Sequence, residues 1–394
     1  MSFSLSEDHE AFRKVVRDFA EKALQPNIER WEREVGGLPT EAVNGMAELG
    51  LFGLTASEEY GGAGADLTTL CVAIEEIGRV DQSLGITLEA AVGLGINPIA
   101  TYGTDEQKAQ WLPDLVAGRA LAGFGLTEPE AGSDAGGTRT KAVLQTNASG
   151  EAQWVVDGAK AFITNSGHEL TSVVTVTART GTNENGTPEL SAIMVPTGTP
   201  GFVAEPAYRK LGWHLSDTHP LSYDGARVPE ANLLGARGRG FAQFLNTLDD
   251  GRIAIAALAV GLSQACLDHS VSYALERKAF GQPIGKKQGL AFQIADLQVA
   301  VEASRLLTYK AAWLKDTGAS VKQVKQAASI AKLYATEAAV SATRTATQVY
   351  GGYGFMEEYP IARFYRDAKV LEIGEGTSEV QRILISRGLG LPVE

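Results

Sequence analysis

Residues 154–178 read WVVDGAKAFITNSGHELTSVVTVTA, and this stretch decides the fold. Its valine, isoleucine and threonine residues form short runs separated by polar breaks, a pattern typical of β-strands. The run SAIMV continues the pattern further on. The dipeptides Asp157-Gly158 and Asp224-Gly225 are typical of tight turns, so we predict a turn at each. Together these features predict a small antiparallel β unit of about a hundred residues.

Helical periodicity flanks this unit on both sides. Before it, Phe12, Val15, Val16 and Phe19 recur at helical spacing, and Thr104 with Gln107 predicts a capping box. After the glycine-rich joint GARGRG, helical periodicity returns, and two further long helical segments follow. The last of them is alanine-rich and is stopped by Gly351-Gly352. We predict three domains: helical over 1–120, β over 121–236 and helical over 237–394.

Composition excludes several classes of function. The 394 residues carry a formal net charge of -12, which is unfavourable for a protein that binds a nucleic-acid backbone. Cys71 and Cys266 are the only cysteines and have no CxxC spacing, so neither a disulfide framework nor a thiolate zinc site is predicted. No secretory signal or bilayer-length apolar run is evident, and we expect a soluble, cytoplasmic protein without a membrane partner.

Common catalytic motifs are absent from the sequence. It contains no GxGxxG, GxxxxGK[ST], HExxH or GxSxG, and its five histidines have no paired spacing. We therefore predict no metal site, and any cofactor site must be of another kind.

Three segments could carry chemistry. GFGLTEPEAGSDAGGTRTKA, residues 123–142, could let backbone approach a flat ligand, or could be a polar interdomain turn. LEIGEGTSEVQR, residues 371–382, places Glu375 between two glycines, where it could be a desolvated general base or an ordinary acid near a helix N-terminus. Arg252 and Arg277 could bind phosphate or be solvated helix charges.

Seven segments, in order, resemble signatures of the acyl-CoA dehydrogenase family over nearly the whole chain. They are GFGLTEPEAGSD, DGAKAFITN, KLGWHLSDTHPLSYDGARVPEANLLG, ALERKAFGQPIGKKQ, QVYGGYGF, YRDAK and EGTSEVQR. The resemblance implies an α+β multidomain fold with an N-terminal helical domain, a middle antiparallel β-barrel or sandwich and a C-terminal four-helix bundle. It also implies a homotetramer, a dimer of dimers, in which a neighbouring subunit holds part of each FAD.

The resemblance also implies residues that bind FAD. Those along the flavin and the β-domain wall are Phe124, Leu126, Thr127, Gly132, Ser133, Phe162 and Thr164. Those that reach the rest of FAD, partly from the partner subunit, are Arg277, Phe280, Gln288, Gln348, Gly351, Gly352, Thr377 and Glu379. Phe162 stands where a tryptophan is often found, and Glu379 replaces a glutamine and so brings an anion near the phosphates.

For the acyl-CoA substrate, the resemblance implies contacts from Ser133, Asp249, Arg252 and Gly376. Glu375 matches the catalytic base, which takes an α-proton while a β-hydride passes to the flavin. Some relatives carry the base at the position of Gly251, which cannot act here. The implied electron acceptor is an electron-transferring flavoprotein.

Two other functions stay open on the sequence. One is a flavin oxidase or monooxygenase on the same scaffold, and the other is a non-catalytic protein that binds CoA esters. Short or medium straight acyl chains are the first expectation and branched chains the second. No lysine or arginine lies between Val80 and Tyr102 to bind a dicarboxylic tail, and Gly93 and Gly95 leave room or permit tight helix contact. Glu89 could contact a polar tail, but a solvated helix acid is the first expectation.

Overall fold

The computed structural model describes residues 5–393, and its first domain is helical. A π-helical segment, Ala90–Ile96, interrupts the helices after α5. The predicted capping box is present, with Thr104 and Gln107 bonded reciprocally at the start of α7. The α-helices are α1 (Glu7–Phe19), α2 (Ile28–Glu34), α3 (Thr40–Glu48), α4 (Leu67–Val80), α5 (Gln82–Glu89), α6 (Asn97–Tyr102) and α7 (Asp105–Val116).

A buried ionic cluster fastens α1 to α4. The side chain of Glu76 is 1% exposed and accepts hydrogen bonds from Arg17 Nε at 2.8 Å and Arg17 Nη2 at 2.7 Å. Arg13 of α1 and Arg79 of α4 lie within 3.4 Å and 3.7 Å of the same carboxylate. One carboxylate therefore pairs with three arginines. Arg17 has no other carboxylate partner in residues 5–393, whereas Arg13 and Arg79 each have further partners.

We expect Glu76→Gln to lower the free energy of unfolding by about 3 kcal/mol, because Arg17 would lose its carboxylate partner and the largely buried Arg13 and Arg79 would each lose one of theirs. Glu10→Gln is the matched control: this carboxylate is 54% exposed and pairs with the same Arg13. Its loss should cost less than about 1 kcal/mol. Denaturant unfolding of both variants measures the difference, and equal losses would contradict the assigned role of Glu76.

The middle domain is a single, mostly antiparallel sheet. Its order is β6-β7-β3-β2-β4-β5-β8, with β1 added in parallel to β4. Trp154, Val156, Val174 and Ile193 belong to its own buried core. The strands are β1 (Leu121–Gly125), β2 (Lys141–Thr146), β3 (Ala152–Thr164), β4 (Thr171–Thr182), β5 (Pro188–Pro196), β6 (Phe202–Ala204), β7 (Thr218–Pro229) and β8 (Leu233–Leu234).

The two Asp-Gly dipeptides are not turns, and that prediction was wrong. Both lie inside long paired strands, Asp157-Gly158 in β3 and Asp224-Gly225 in β7, where the register shifts between them. The Gly225 N–H donates to the Asp157 carboxylate at 2.7 Å. Gly158 and Gly225 have φ of 147° and 62°. A glycine with positive φ is favoured in a β-bulge as it is in a tight turn, so the same dipeptide is compatible with either structure.

The last domain is a bundle of long helices. As predicted, α10 ends at a glycine pair, with Gly351 at φ 61°. Three long helices pack against one another, and the short α12 packs on α10 as the fourth. The helices are α8 (Gly240–Glu276), α9 (Gln288–Asp316), α10 (Val321–Tyr350), α11 (Pro360–Ala368) and α12 (Ser378–Gly388).

Helix α8 joins this bundle to the first domain. At Gly261 a Cβ would come within 2.2 Å of the Glu75 carbonyl oxygen, so glycine there permits the close approach of α8 to α4. Two stretches, Gln82–Tyr102 and Gly240–Glu276, have the length and mean hydropathy, 1.3, of a membrane-crossing helix, so the expectation that no apolar run has bilayer length was wrong. Most of each apolar window is buried inside the protein, 72% and 83%, as in core helices.

Candidate active site

Glu375 lies on a short turn just before α12. Its φ is 52° and that of Gly376 is 96°, so the turn is left-handed at both residues. Thr377 caps α12 by accepting from the Val380 N–H at 3.3 Å. Two buried donors, Lys332 Nζ at 2.8 Å and Gln381 Nε2 at 2.9 Å, bond the Gly376 carbonyl oxygen. The turn is therefore fixed from both the bundle and its own helix.

The Glu375 carboxyl group points into the protein. Its Oε2 is shut off from solvent and has no hydrogen-bond donor within residues 5–393. Gly251 of α8 makes room for it, since a Cβ on Gly251 would lie 2.1 Å from that oxygen. Burial raises the pKa of Glu375 to about 7, although Arg252 and Lys332 act in the opposite direction. This is the environment of a general base and differs from that of a solvated acid near a helix N-terminus.

Helix α8 carries an ion pair, Arg252 with Asp249, next to Gly251, the residue that borders this carboxyl group. They are 4% and 9% exposed and form an ion pair one helical turn apart. The solvated alternative is therefore wrong for Arg252. Its Nε has no acceptor in the described part of the chain, and burial raises the pKa of Asp249. The pair brings one guanidinium close to Glu375, where its charge favours the carboxylate form.

Lys332 was not predicted from the sequence. It is fully buried on α10, and burial lowers its pKa to about 8. The sequence does indicate that this lysine is buried. Lys332 follows Ala328 by four residues and precedes Ala335 by three, so it lies on the buried face of an alanine-rich helix. A lone cation at such a position indicates a buried partner, which proves to be the Gly376 carbonyl group.

We expect Lys332→Met to lower turnover about tenfold to a hundredfold, because the turn that carries Glu375 would lose its anchor and the base its alignment. The pKa of Glu375 should also rise, since a cation that lowers it is removed. Steady-state rates over a pH series measure both effects. Lys322→Met, an exposed lysine on the same helix, is the control and should behave like the unaltered protein.

The segment 123–142 is an ordered loop built around a buried ion pair. Lys160 Nζ, fully buried, donates to Glu128 Oε1 at 2.8 Å and to the Leu126 carbonyl oxygen at 3.3 Å. Glu128 also accepts from the backbone N–H groups of Arg139 at 2.7 Å and Thr140 at 3.0 Å. The loop is thereby closed at both ends, which a simple polar turn would not require.

The predicted cofactor residues of this loop point in two directions. Phe124 and Leu126 are each 9% exposed, and Phe124 stacks on Phe244 with ring centroids 3.9 Å apart. Thr127 is partly exposed, while Gly132 and Ser133 are exposed. The buried residues pack inside the protein, and the exposed residues are accessible to a ligand.

Phe162 lies near the end of β3 and is unusual in both its exposure and its backbone conformation. Its ring is 65% exposed and its φ is 62°, a strained value for a non-glycine residue. Such strain is retained at ligand sites, and an exposed aromatic face is suited to stacking on a flat ring. Thr164, two residues on, is partly exposed. These residues fit the isoalloxazine ring of FAD.

The remaining predicted cofactor residues lie elsewhere. Arg277, Gly351 and Gly352 line a cavity of ≈ 580 Å³ together with Tyr350 and Tyr353. Arg277 follows the end of α8, so it lies roughly 37 Å along the helix from Arg252 at 1.5 Å per residue. The other predicted residues of this group, all exposed, are Phe280, Gln288 and Gln348.

Thr377 and Glu379 begin α12. The N-terminus of this helix offers N–H donors and a positive dipole end, which suit a phosphate. Glu379 is exposed, and the backbone N–H and the Thr377 hydroxyl lower its pKa, so its side chain is anionic. Its charge opposes a direct contact with pyrophosphate, whereas Thr377 fits one.

Fold and site together place a carboxyl group with an enclosed, unpartnered oxygen and a raised pKa beside α8 and α10 of a helical bundle, as a general base requires. Three family models match the chain: the acyl-CoA dehydrogenase N-terminal domain over residues 6–119, the middle domain over 123–226 and the C-terminal domain over 238–390. The chain belongs to the acyl-CoA dehydrogenase family. The predicted family, α, β, α fold class and enzyme class are confirmed.

Two curated relatives match almost end to end. The probable acyl-CoA dehydrogenase YngJ of Bacillus subtilis is 46% identical over 99% of this chain and 100% of its own length. The short-chain specific acyl-CoA dehydrogenase of Clostridium acetobutylicum is 41% identical over 98% of this chain and 99% of its own.

Solved structures give the same result. Butyryl-CoA dehydrogenase from Megasphaera elsdenii has a TM-score of 0.92 and 39% identity over 99% of this chain and 100% of its own. A chain from the structure of the electron transferring flavoprotein of Acidaminococcus fermentans has the same score and identity, with 99% coverage of both chains. An acyl-CoA dehydrogenase of Bacillus anthracis, solved with FAD, has a TM-score of 0.89 and 32% identity over 98% of this chain and 67% of its own. FAD, the predicted cofactor, is the cofactor of this family.

Proposed function

We propose that this chain oxidises short acyl-CoA thioesters to 2-enoyl-CoA, with Glu375 as the base, and passes the electrons to an electron-transferring flavoprotein. The observation that carries the proposal is the Glu375 carboxyl group, buried against Gly251 without a donor on Oε2. The relatives named as short-chain or butyryl-CoA dehydrogenases support the short acyl group. The likeness to a chain solved with an electron transferring flavoprotein supports the acceptor.

The site supplies what removal of an α-proton requires. Burial raises the basicity of Glu375, while Arg252 and Lys332 keep part of it ionised near neutral pH. The backbone N–H of Glu375 donates to no acceptor within residues 5–393, so it is free to bond a thioester carbonyl oxygen and stabilise enolate charge. FAD, when bound, supplies the acceptor for the hydride that leaves the β-carbon. The proton goes to Glu375 and the α,β double bond forms.

The separation of the two groups of predicted cofactor residues supports a homotetramer. Arg277, of the second group, lies roughly 37 Å along α8 from Arg252, the predicted substrate contact beside Glu375. Arg277 is therefore too far from the proposed position of the flavin ring to bind the same FAD within one chain. A neighbouring subunit that presents its Arg277 cavity would complete the site. Light scattering of the FAD-loaded protein tests this assembly, and a stable monomer that retains FAD would contradict it.

The reaction is tested with a series of acyl-CoA thioesters of increasing length and branching, mixed anaerobically with the FAD-loaded protein. Loss of flavin absorbance should be fastest with short straight chains. Reoxidation should be fast with an electron-transferring flavoprotein and slow with oxygen. Fast peroxide formation would favour an oxidase, and a protein that binds thioesters without any flavin bleaching would contradict the proposed activity.

A further inference from the structure

A second glutamate faces the Glu375 carboxyl group from the first domain. Glu89 is the last residue of α5 and is 0% exposed, so the expectation of a solvated helix acid was wrong. Neither carboxyl oxygen has a donor among the N–H and O–H groups of residues 5–393. Gly93 leaves the group its space, since a Cβ there would lie 3.1 Å from Glu89 Oε1. The π-helical segment follows directly, a feature frequent at functional sites.

Glu89 ends α5, which packs against α8, the helix whose Gly251 borders the Glu375 carboxyl group. Glu375 is the group that acts on Glu89, both through its charge and as a side-chain hydrogen-bond partner. Two carboxylates cannot bond each other, so the contact requires a proton between them. Both groups are taken out of water, and two buried like charges side by side would be strongly unfavourable. The pair therefore holds at least one proton while the site is dry.

The surrounding charges decide which glutamate holds the proton. Glu375 faces Arg252 from α8 and Lys332 from α10, and both favour its ionised form. Asp249 is paired with Arg252, and Glu372 and Glu379 act on Lys332 from the turn and from α12. Glu375 is the charged group that acts on Glu89, and its charge, with burial, raises the pKa of Glu89 well above its usual range. The negative charge therefore settles on Glu375 and the proton on Glu89.

We propose that Glu89 is a positioning residue that keeps its proton and donates it as a hydrogen bond to the Glu375 carboxylate. This bond orients the base and stabilises its ionised form in a site where burial alone would protonate it. The proposal rests on the proposed function only in naming Glu375 as the base.

Two variants separate the hydrogen bond from the presence of a side chain. Glu89→Leu fills similar space but cannot donate, whereas Glu89→Gln keeps a donor of the same reach. In Glu89→Leu the pKa of Glu375 should rise, so the acid limb of kcat/KM should move up by about one pH unit. Its rate below that limb should fall about tenfold, and Glu89→Gln should stay near the unaltered rate. An unmoved acid limb in a Glu89→Leu protein that still binds FAD would overturn the proposal.

Infrared spectroscopy tests the proton without any turnover. At mildly alkaline pH the unaltered FAD-loaded protein should show a protonated carboxyl band that Glu89→Gln lacks and Glu375→Gln retains. A spectrum unchanged by Glu89→Gln, or a band removed by Glu375→Gln alone, would overturn the proposal. If this band behaves as expected while no thioester bleaches the flavin, the proposed function fails and the carboxyl pair stands. If thioesters bleach the flavin but the band does not behave as expected, the proposed function stands and the proposed carboxyl pair is wrong.

Discussion

Glu375→Gln is expected to leave FAD and thioester binding intact and to slow reduction of the flavin by acyl-CoA about 10⁴-fold, the upper range for loss of a general base. Glutamine keeps the shape of the side chain and fits against Gly251, but it cannot take a proton. Stopped-flow measurement of flavin absorbance without an electron acceptor reports the chemical step directly. Ligand binding, followed by the spectral shift of the flavin, reports the unaffected step.

The control for this variant is Glu357→Gln, whose side chain is 84% exposed and pairs with Arg366. It should reduce flavin at the unaltered rate. In the unaltered protein the reduction rate should rise with pH through about 7, because burial raises the pKa of Glu375 to that value and only the ionised form is a base. Near-normal bleaching in Glu375→Gln would refute the catalytic role, whatever the pH profile.

The order of domains could be predicted because β-branched runs and helical periodicity are local properties of the sequence. The Asp-Gly dipeptides show the limit of this reasoning. Asp157-Gly158 and Asp224-Gly225 have turn composition, but each meets the other across β3 and β7. Whether a glycine with positive φ closes a turn or forms a bulge depends on the partner strand, which the local sequence does not contain.

The site was predictable in part for the same reason. The glycines around Glu375 marked an unusual turn, but its carboxyl environment comes from three other helices. Glu89, Arg252 and Lys332 are all buried, although charged residues are usually solvated, and their burial follows from how α5, α8 and α10 meet. Lys332 and Glu89 carried a local signal, Lys332 on an apolar helix face and Glu89 as the only charged residue of the apolar stretch Gln82–Tyr102.

Gly251→Ala is expected to lower the rate of flavin reduction about a hundredfold without lowering stability. The added Cβ would lie 2.1 Å from Glu375 Oε2 and 2.8 Å from its Cδ, so the carboxyl group must move by an ångström or more. The end of a flexible side chain can shift at little cost in folding free energy, and alanine is favoured over glycine inside a helix. Misplacement of a reacting group on this scale costs about 10²-fold in rate. Stopped-flow reduction and denaturant unfolding measure the two effects.

Gly37→Ala is the matched control, because a Cβ at Gly37 would meet nothing within 4 Å and this residue lies outside the site. A hundredfold rate loss in Gly251→Ala with unchanged FAD content and unfolding midpoint would show that the empty volume beside α8 serves the base and not the packing of the helix. Equal rates in both variants would mean that Glu375 does not react from the position beside Gly251. Glycine at 251 would then be explained by helix packing alone, and the carboxylate would have to reach the substrate from another rotamer.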